Sequence, residues 1–218
     1  MAFHLRKEIE FLQKKMLSLC TMVEENLRRA VRSVADRNAD EADLVLQNDR
    51  QIDNMEIDVE EECLKILALH QPVAVDLRFI VSVLKMNNDL ERIGDLAVNI
   101  AERAKIIATH APIDIGFDFN VMFVKAVNML NASIEALINL DEEKSHEVCA
   151  CDDAIDELNR RMFEIFKKQV ESQPKNVELM MQYLSISRHL ERIADHATNI
   201  AEDVIYMIEG DIVRHRKI

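Results

Sequence analysis

One segment of this chain occurs twice. Leu90-Glu91-Arg92-Ile93-Gly94-Asp95-Leu96-Ala97-Val98-Asn99-Ile100-Ala101-Glu102 returns as Leu190-Glu191-Arg192-Ile193-Ala194-Asp195-His196-Ala197-Thr198-Asn199-Ile200-Ala201-Glu202, with ten of thirteen positions identical. A fainter echo joins Asp49, Ile52 and Asp53 to Asp152, Ile155 and Asp156, and a Gln-Pro pair follows each echo, at Gln71-Pro72 and Gln173-Pro174. A repeat of this kind requires two like supersecondary units that bury their apolar faces together.

The unit is helical. With 3 Gly, 3 Pro, no Trp and 5% aromatic residues in 218, the chain lacks the turn residues that a many-stranded sheet needs. Leu5, Ile9, Leu12, Met16, Leu19 and Val23, continued by Leu27, Ala30 and Val34, recur at steps of four and three, which predicts a long first helix. Asn38 to Asp43 supplies caps, and Val45, Ile52, Met55, Val59, Cys63 and Ile66 carry a second helix to the Gln71-Pro72 break. A third runs from Ala74 to Ala108. Residues Thr109 to Phe117 contain Pro112 and Gly116 without periodicity and read as a linker. Three more helices are expected at about Phe119–Leu140, Glu142–Gln173 and Val177–Ile208. The length admits two small domains or one long bundle. The repeat favours an all-α fold of two tandem, pseudo-symmetric three-helix bundles, 1–108 and 118–218, joined by 109–117.

Charge narrows the function classes. A formal net charge of -13 repels nucleic-acid phosphates and anionic membranes, and no basic stripe offsets it, so no nucleic-acid partner is expected. The first fifteen residues already alternate apolar and charged types, and no apolar run is read as approaching the roughly 18 residues of a bilayer span. The expectation is a cytosolic protein with no transmembrane segment. Cys20, Cys63, Cys149 and Cys151 lack CxxC spacing and read as free thiols. There is no phosphate-cradling glycine loop and no nucleophile elbow, and Glu143 to His146 is a lone Glu-x-x-His where a di-iron carboxylate site needs two. Catalysis is not expected.

The acidic residues are patterned. At 100° per residue, Glu91, Asp95, Asn99 and Glu102 fall within about 80° of one another, and Glu191, Asp195, Asn199 and Glu202 repeat the stripe. Asp49, Asp53, Glu56 and Glu60 form another on the second helix, answered by Asp152, Asp156 and Asn159 on the fifth. Small residues Gly94, Ala97, Ala101 and Ala104 lie opposite, so the stripes are expected to face away from the helix seams, where helices two and three of each bundle could present their carboxylates side by side. Spacing alone favours a solvated face, with Arg92 pairing Asp95. Against it, carboxylates at i and i+4 repel by a few tenths of a kcal/mol, and both copies keep them; a bound cation would cancel that repulsion. An all-oxygen set suits hard ions such as Mg, Mn, Ca or iron, with zinc possible but not indicated. His189 and His196 have Asp89 and Leu96 as first-half counterparts, so they read as surface or interface residues.

The two Leu-Glu-Arg-Ile-x-Asp-x-Ala-x-Asn-Ile-Ala-Glu segments, with Asp49 to Asp53, Asp152 to Asp156 and the two Gln-Pro breaks, resemble the PhoU family over essentially the whole chain. The resemblance implies divalent or trivalent metal ions (iron, Mn, Mg or Zn) held by Asp49, Asp53, Glu91 and Asp95 in the first half and by Asp152, Asp156, Glu191 and Asp195 in the second, with Asn99, Glu102, Asn199 and Glu202 as additional ligands. Glu56 and Glu60 give way to Asn159 and Phe163, so the two sites differ. It further implies a non-enzymatic negative regulator of phosphate signalling, often dimeric. Such a protein couples the ATPase subunit of a high-affinity phosphate ABC transporter to a phosphate-sensing histidine kinase, and those partners recruit it to the inner face of the membrane. The competing readings are a metal-free helical tether and a carboxylate-bridged metal enzyme.

Overall fold

The computed structural model describes residues 2–210 and contains six long helices: α1 (Ala2–Ala35), α2 (Ala39–His70), α3 (Ala74–Ala108), α4 (Phe119–Asn139), α5 (Glu142–Ser172) and α6 (Val177–Glu209). A single 3-10 turn, Pro174–Asn176, leads into α6. The basic residues Arg214 to Lys217 lie outside the described residues.

Local chemistry sets the helix ends. Asn38 accepts hydrogen bonds from the amides of Asp40 and Glu41, Asp118 from that of Asn120, and Asp141 from that of Lys144, satisfying N–H groups that have no partner within the helix. At the other ends Gln71 and Leu140 take left-handed backbone conformations, and Gly210, at φ 83°, closes α6 with an amide donating to the Tyr206 carbonyl.

Helices α1, α2 and α3 pack mutually, as do α4, α5 and α6. The most extensive helix pairing, however, joins the halves: α3 lies along α6, and α1 also touches α4. One continuous apolar core results, running through Leu19 and Leu27 of α1, Ile93 and Ile100 of α3, Leu130 of α4 and Ile193 and Ile200 of α6. Each such side chain contributes about 1.5–3 kcal/mol on full burial. Gly94 lets α2 approach: a Cβ there would stand 3.3 Å from Ile52 Cγ2.

Helix α4 is interrupted by Lys125 and Glu135, so it holds no unbroken apolar run of bilayer length. It contains an 18-residue window of mean hydropathy 1.4, long and apolar enough by composition to cross a membrane. In the fold, 56% of that window is buried, and the helix packs on α1, α5 and α6. Its apolarity follows from having neighbours on three sides. All four cysteines are free, with Cys20 and Cys63 buried.

A polar clamp ties the α1–α2 turn to the other half. Arg37 donates to the Ile107 carbonyl at 2.5 Å, to the His110 carbonyl, and to the Tyr183 hydroxyl at 3.3 Å. Its own backbone sits at φ 51°, so the turn is bent to aim the guanidinium at the end of α3. Hydrogen bonds from a charged donor contribute about 1.5–3 kcal/mol. Arg37→Ala should lower unfolding free energy by about that amount, read from urea denaturation, with the helical circular-dichroism signal of the folded state unchanged.

Candidate functional site

The sequence gives α2 and α3 each an acidic stripe, and the fold lays the two alongside one another. Asp49, Asp53 and Glu56 come from α2, Glu91 and Asp95 from α3; across the seam Asp95 acts on Asp49, and Glu56 and Asp53 act on Glu91. The stripes therefore do not face away from the seam as expected; they flank it. In the first half Gly94 permits a close approach of α2: a Cβ there would lie 3.9 Å from Asp49 Oδ1.

Crowding has an electrostatic cost. Burial, then the charges of Asp53 and Asp95, pushes Asp49 up to about 6. Glu56 and Glu91 are also raised, first by burial and then by neighbouring carboxylates, although Arg92 partly offsets the shift at Glu91. Asp49 Oδ1 and Glu91 Oε2 are shut off from solvent without a hydrogen-bond donor, the latter 3.4 Å from Arg92 Nε. Arg92 also pairs with Asp95 at 3.1 Å, so the expected i,i+3 contact is present as well.

The second half repeats the arrangement with α5 and α6. Burial, then Asp195 and Asp156, pushes Asp152 up to about 6, opposed in part by a 3.5 Å hydrogen bond from Thr198. Glu191 and Asp195 are raised for the same reasons, with Arg188 opposing at Glu191 and His196 and Arg192 at Asp195. The cluster is less starved of donors than its counterpart. Where Asn87 donates to Glu56 in the first half, Ser187 donates to Asn159, an uncharged amide.

The remaining candidates stand apart. Asn99 donates to the Asp95 carbonyl at 2.9 Å, and Asn199 donates to Asp89 at 3.1 Å across the α3/α6 seam. Glu102 is exposed, about 10 Å along α3 from Asp95. Glu202 is half-buried, and its charge, with that of Asp152, acts on the Cys149 thiol. Among the described residues no three His, Cys, Asp or Glu side chains are gathered closely enough to hold a metal as they stand. The donor chemistry nevertheless fits a hard cation, because a carboxylate oxygen buried without a donor is what such an ion would satisfy. Sequence reasoning passed over Asn87 and Thr198, polar residues on apolar-facing turns whose role depends on the neighbouring helix.

The family model of the PhoU domain matches residues 16–104 and 119–204. The chain belongs to the PhoU family. It is 37% identical over 212 residues to the phosphate-specific transport system accessory protein PhoU homolog of Aquifex aeolicus, covering 97% of this chain and 96% of the relative. It is 31% identical over 208 residues to PhoU homolog 1 of Thermotoga maritima, covering 95% and 90%. The crystal structure of PhoU from Pseudomonas aeruginosa superposes with a TM-score of 0.91 at 31% identity, covering 94% of this chain and 99% of that one. The phosphate transport system regulatory protein PhoU from Streptococcus pneumoniae follows at 0.83 and 26%, covering 96% and 99%. The all-α fold of six long helices is thus that of PhoU structures.

The raised carboxylates make stability depend on pH. An unfolded aspartate releases its proton near about 4, whereas folded Asp49 and Asp152 hold theirs to about 6. Across that window the folded state binds more protons, so their contribution is fully present below the lower value and lost as pH rises through the upper one. An Asp49→Asn/Asp152→Asn double variant, melted in chelator, should exceed the wild type in Tm at about pH 7.5 and match it near about pH 4.

Proposed function

We propose that this protein is a non-enzymatic negative regulator of the phosphate-starvation response, acting by contact. As a cytoplasmic homodimer it couples the ATPase subunit of the high-affinity phosphate ABC transporter to a phosphate-sensing histidine kinase, silencing the kinase and modulating uptake when phosphate is plentiful. Those partners hold it at the inner face of the membrane. The observation that carries this reading is the near full-length match to relatives named as phosphate-specific transport system accessory proteins. Long helical faces suit such a bridge, since helix-on-helix contact needs extended surfaces rather than a closed pocket.

In phosphate-replete cells lacking this gene, alkaline phosphatase output should be high and should fall to the uninduced level when a plasmid copy is supplied. Unchanged output in the deletion would overturn the regulatory reading.

The carboxylate clusters fit into this function as cation sites. Asp49, Asp53, Glu91 and Asp95 would hold one ion, and Asp152, Asp156, Glu191 and Asp195 another, with iron, Mn, Mg or Zn as candidates. A bound cation would cancel the mutual repulsion and link α2 to α3, or α5 to α6, biasing the surfaces that partners meet. The orphaned oxygens of Asp49 and Glu91 support the first-half site over the second.

The metal-free tether is the second reading, favoured by the lack of a ready three-ligand group among the described residues. Elemental analysis of protein purified without chelator or affinity-column metal separates the two. Metal should be present in the wild type and depleted in an Asp95→Asn/Asp195→Asn variant, whereas near-zero metal in both supports the tether. A carboxylate-bridged oxidase ranks below both, because Glu143 to His146 is a lone Glu-x-x-His in the sequence and a di-iron carboxylate site needs two.

A further inference from the structure

The repeat can be read across the α3/α6 seam as well as along the chain. A shift of 100 residues maps Lys85 onto Ser185, Asp89 onto His189, Leu96 onto His196, Asn99 onto Asn199 and Arg103 onto Asp203. The helices run antiparallel, so one corner of the seam joins the start of α3 to the end of α6. The mirrored corner joins the end of α3 to the start of α6.

At the first corner, charge is matched inside the protein. Lys85 Nζ lies 3.2 Å from Asp203 Oδ1, and Asp89 Oδ1 takes His196 Nδ1 at 2.8 Å and Asn199 Nδ2 at 3.1 Å. Both carboxylates are nearly closed to solvent, Asp203 at 2% exposure and Asp89 at 7%.

At the mirrored corner both carboxylates have been exchanged for nitrogen donors. Arg103 stands where the repeat has Asp203, and His189 where it has Asp89. Arg103 Nε and His189 Nδ1 are shut off from solvent and have no hydrogen-bond partner. Asn99, whose counterpart donates to Asp89, turns back to its own helix. Ser185 Oγ lies 3.1 Å from His189 Nε2; with the hydroxyl donating there, the ring proton sits on Nδ1, the orphaned atom. Arg103, Arg188 and Arg192 all act electrostatically on the His189 ring, so the corner gathers positive charge. Glu191 and Asp195 temper Arg188 and Arg192.

Buried donors are paired in native proteins, and one left unpaired costs about 1–3 kcal/mol. We infer that this corner binds a tetrahedral oxyanion, inorganic phosphate or a small phosphate monoester, in the place of the two carboxylates that the first corner retains. Arg103 from α3 and His189 from α6 would grip it jointly, since guanidinium and imidazole N–H groups match the acceptors of a phosphoryl group. Ser185, Arg188 and Arg192, close in sequence to His189, also line an open groove of about 1250 Å³ between α5 and α6, together with Glu191 and Asp195. The site stands independently of the regulatory reading, because it follows from the seam and not from any partner.

Isothermal titration of the full chain with orthophosphate, in chloride buffer containing EDTA, tests the inference. Glycerol 3-phosphate and sulfate titrated in parallel tell a free anion from an ester. Saturable binding near one anion per chain is expected, weakened at least tenfold by Arg103→Gln and by His189→Asp, which returns to position 189 the carboxylate found at Asp89. Arg50→Gln, an exposed arginine on α2, should leave binding unchanged, and melting curves should show that all variants are folded. No saturable binding of any of the three anions, or binding unaltered in both Arg103→Gln and His189→Asp, overturns the site. So does binding seen only when EDTA is omitted, which would place the anion on a metal in the carboxylate clusters.

Discussion

The packing of α3 on α6 governs the rest of the molecule. Each is the last helix of its repeat, each carries the duplicated motif, and together they form the most extensive helix contact in the structure. A helix that must present one face to its counterpart and another to its own bundle has little circumference left for solvent. The acidic stripe occupies what remains, a narrow band beside α2 or α5. The semi-buried position of the carboxylates, and hence their raised pKa values, follows from this arrangement of neighbours.

Much of this was legible in the residues. Steps of three and four located every helix, the Gln-Pro breaks ended α2 and α5, and Asn38, Asp118 and Asp141 cap where short polar side chains should. The stripes of Asp49 with Asp53 and of Glu91 with Asp95 were visible, as was their meeting across two helices. Their direction was not. A glycine such as Gly94 signals close approach, but only the packed structure shows that Ile52 fills the space and brings Asp49 with it. Lys125 and Glu135 interrupt the apolar run of α4 without removing its overall hydropathy, which its packing on three helices explains. The polar contacts of Arg37, Asp89 and His196 link residues far apart in sequence, and no local pattern announces them.

The two halves differ most where they would be expected to agree. Glu56 and Glu60 face the first cluster, and Asn159 and Phe163 hold the equivalent places beside the second. The first half thus leaves Asp49 Oδ1 and Glu91 Oε2 without a hydrogen-bond donor, whereas in the second Asp152 accepts from Thr198 and an amide, Asn159, stands in place of Glu56 and accepts from Ser187. Two chemically unequal sites on a symmetric scaffold can respond to different ligands, or to one ligand at different concentrations.

The seam also determines which half may sit beside which. If two first halves met through α3, Lys85 would face Arg103 and Asp89 would face Leu96, setting cation against cation and a carboxylate against an alkyl chain. If two second halves met through α6, Ser185 would face Asp203 and His189 would face His196, so Asp203 would lose Lys85. Only first against second gives Asp203 its Lys85 and Asp89 its His196. What began as a symmetric duplication has become a lock and key within one chain, so each half is committed to its own sibling over the matching half of another molecule.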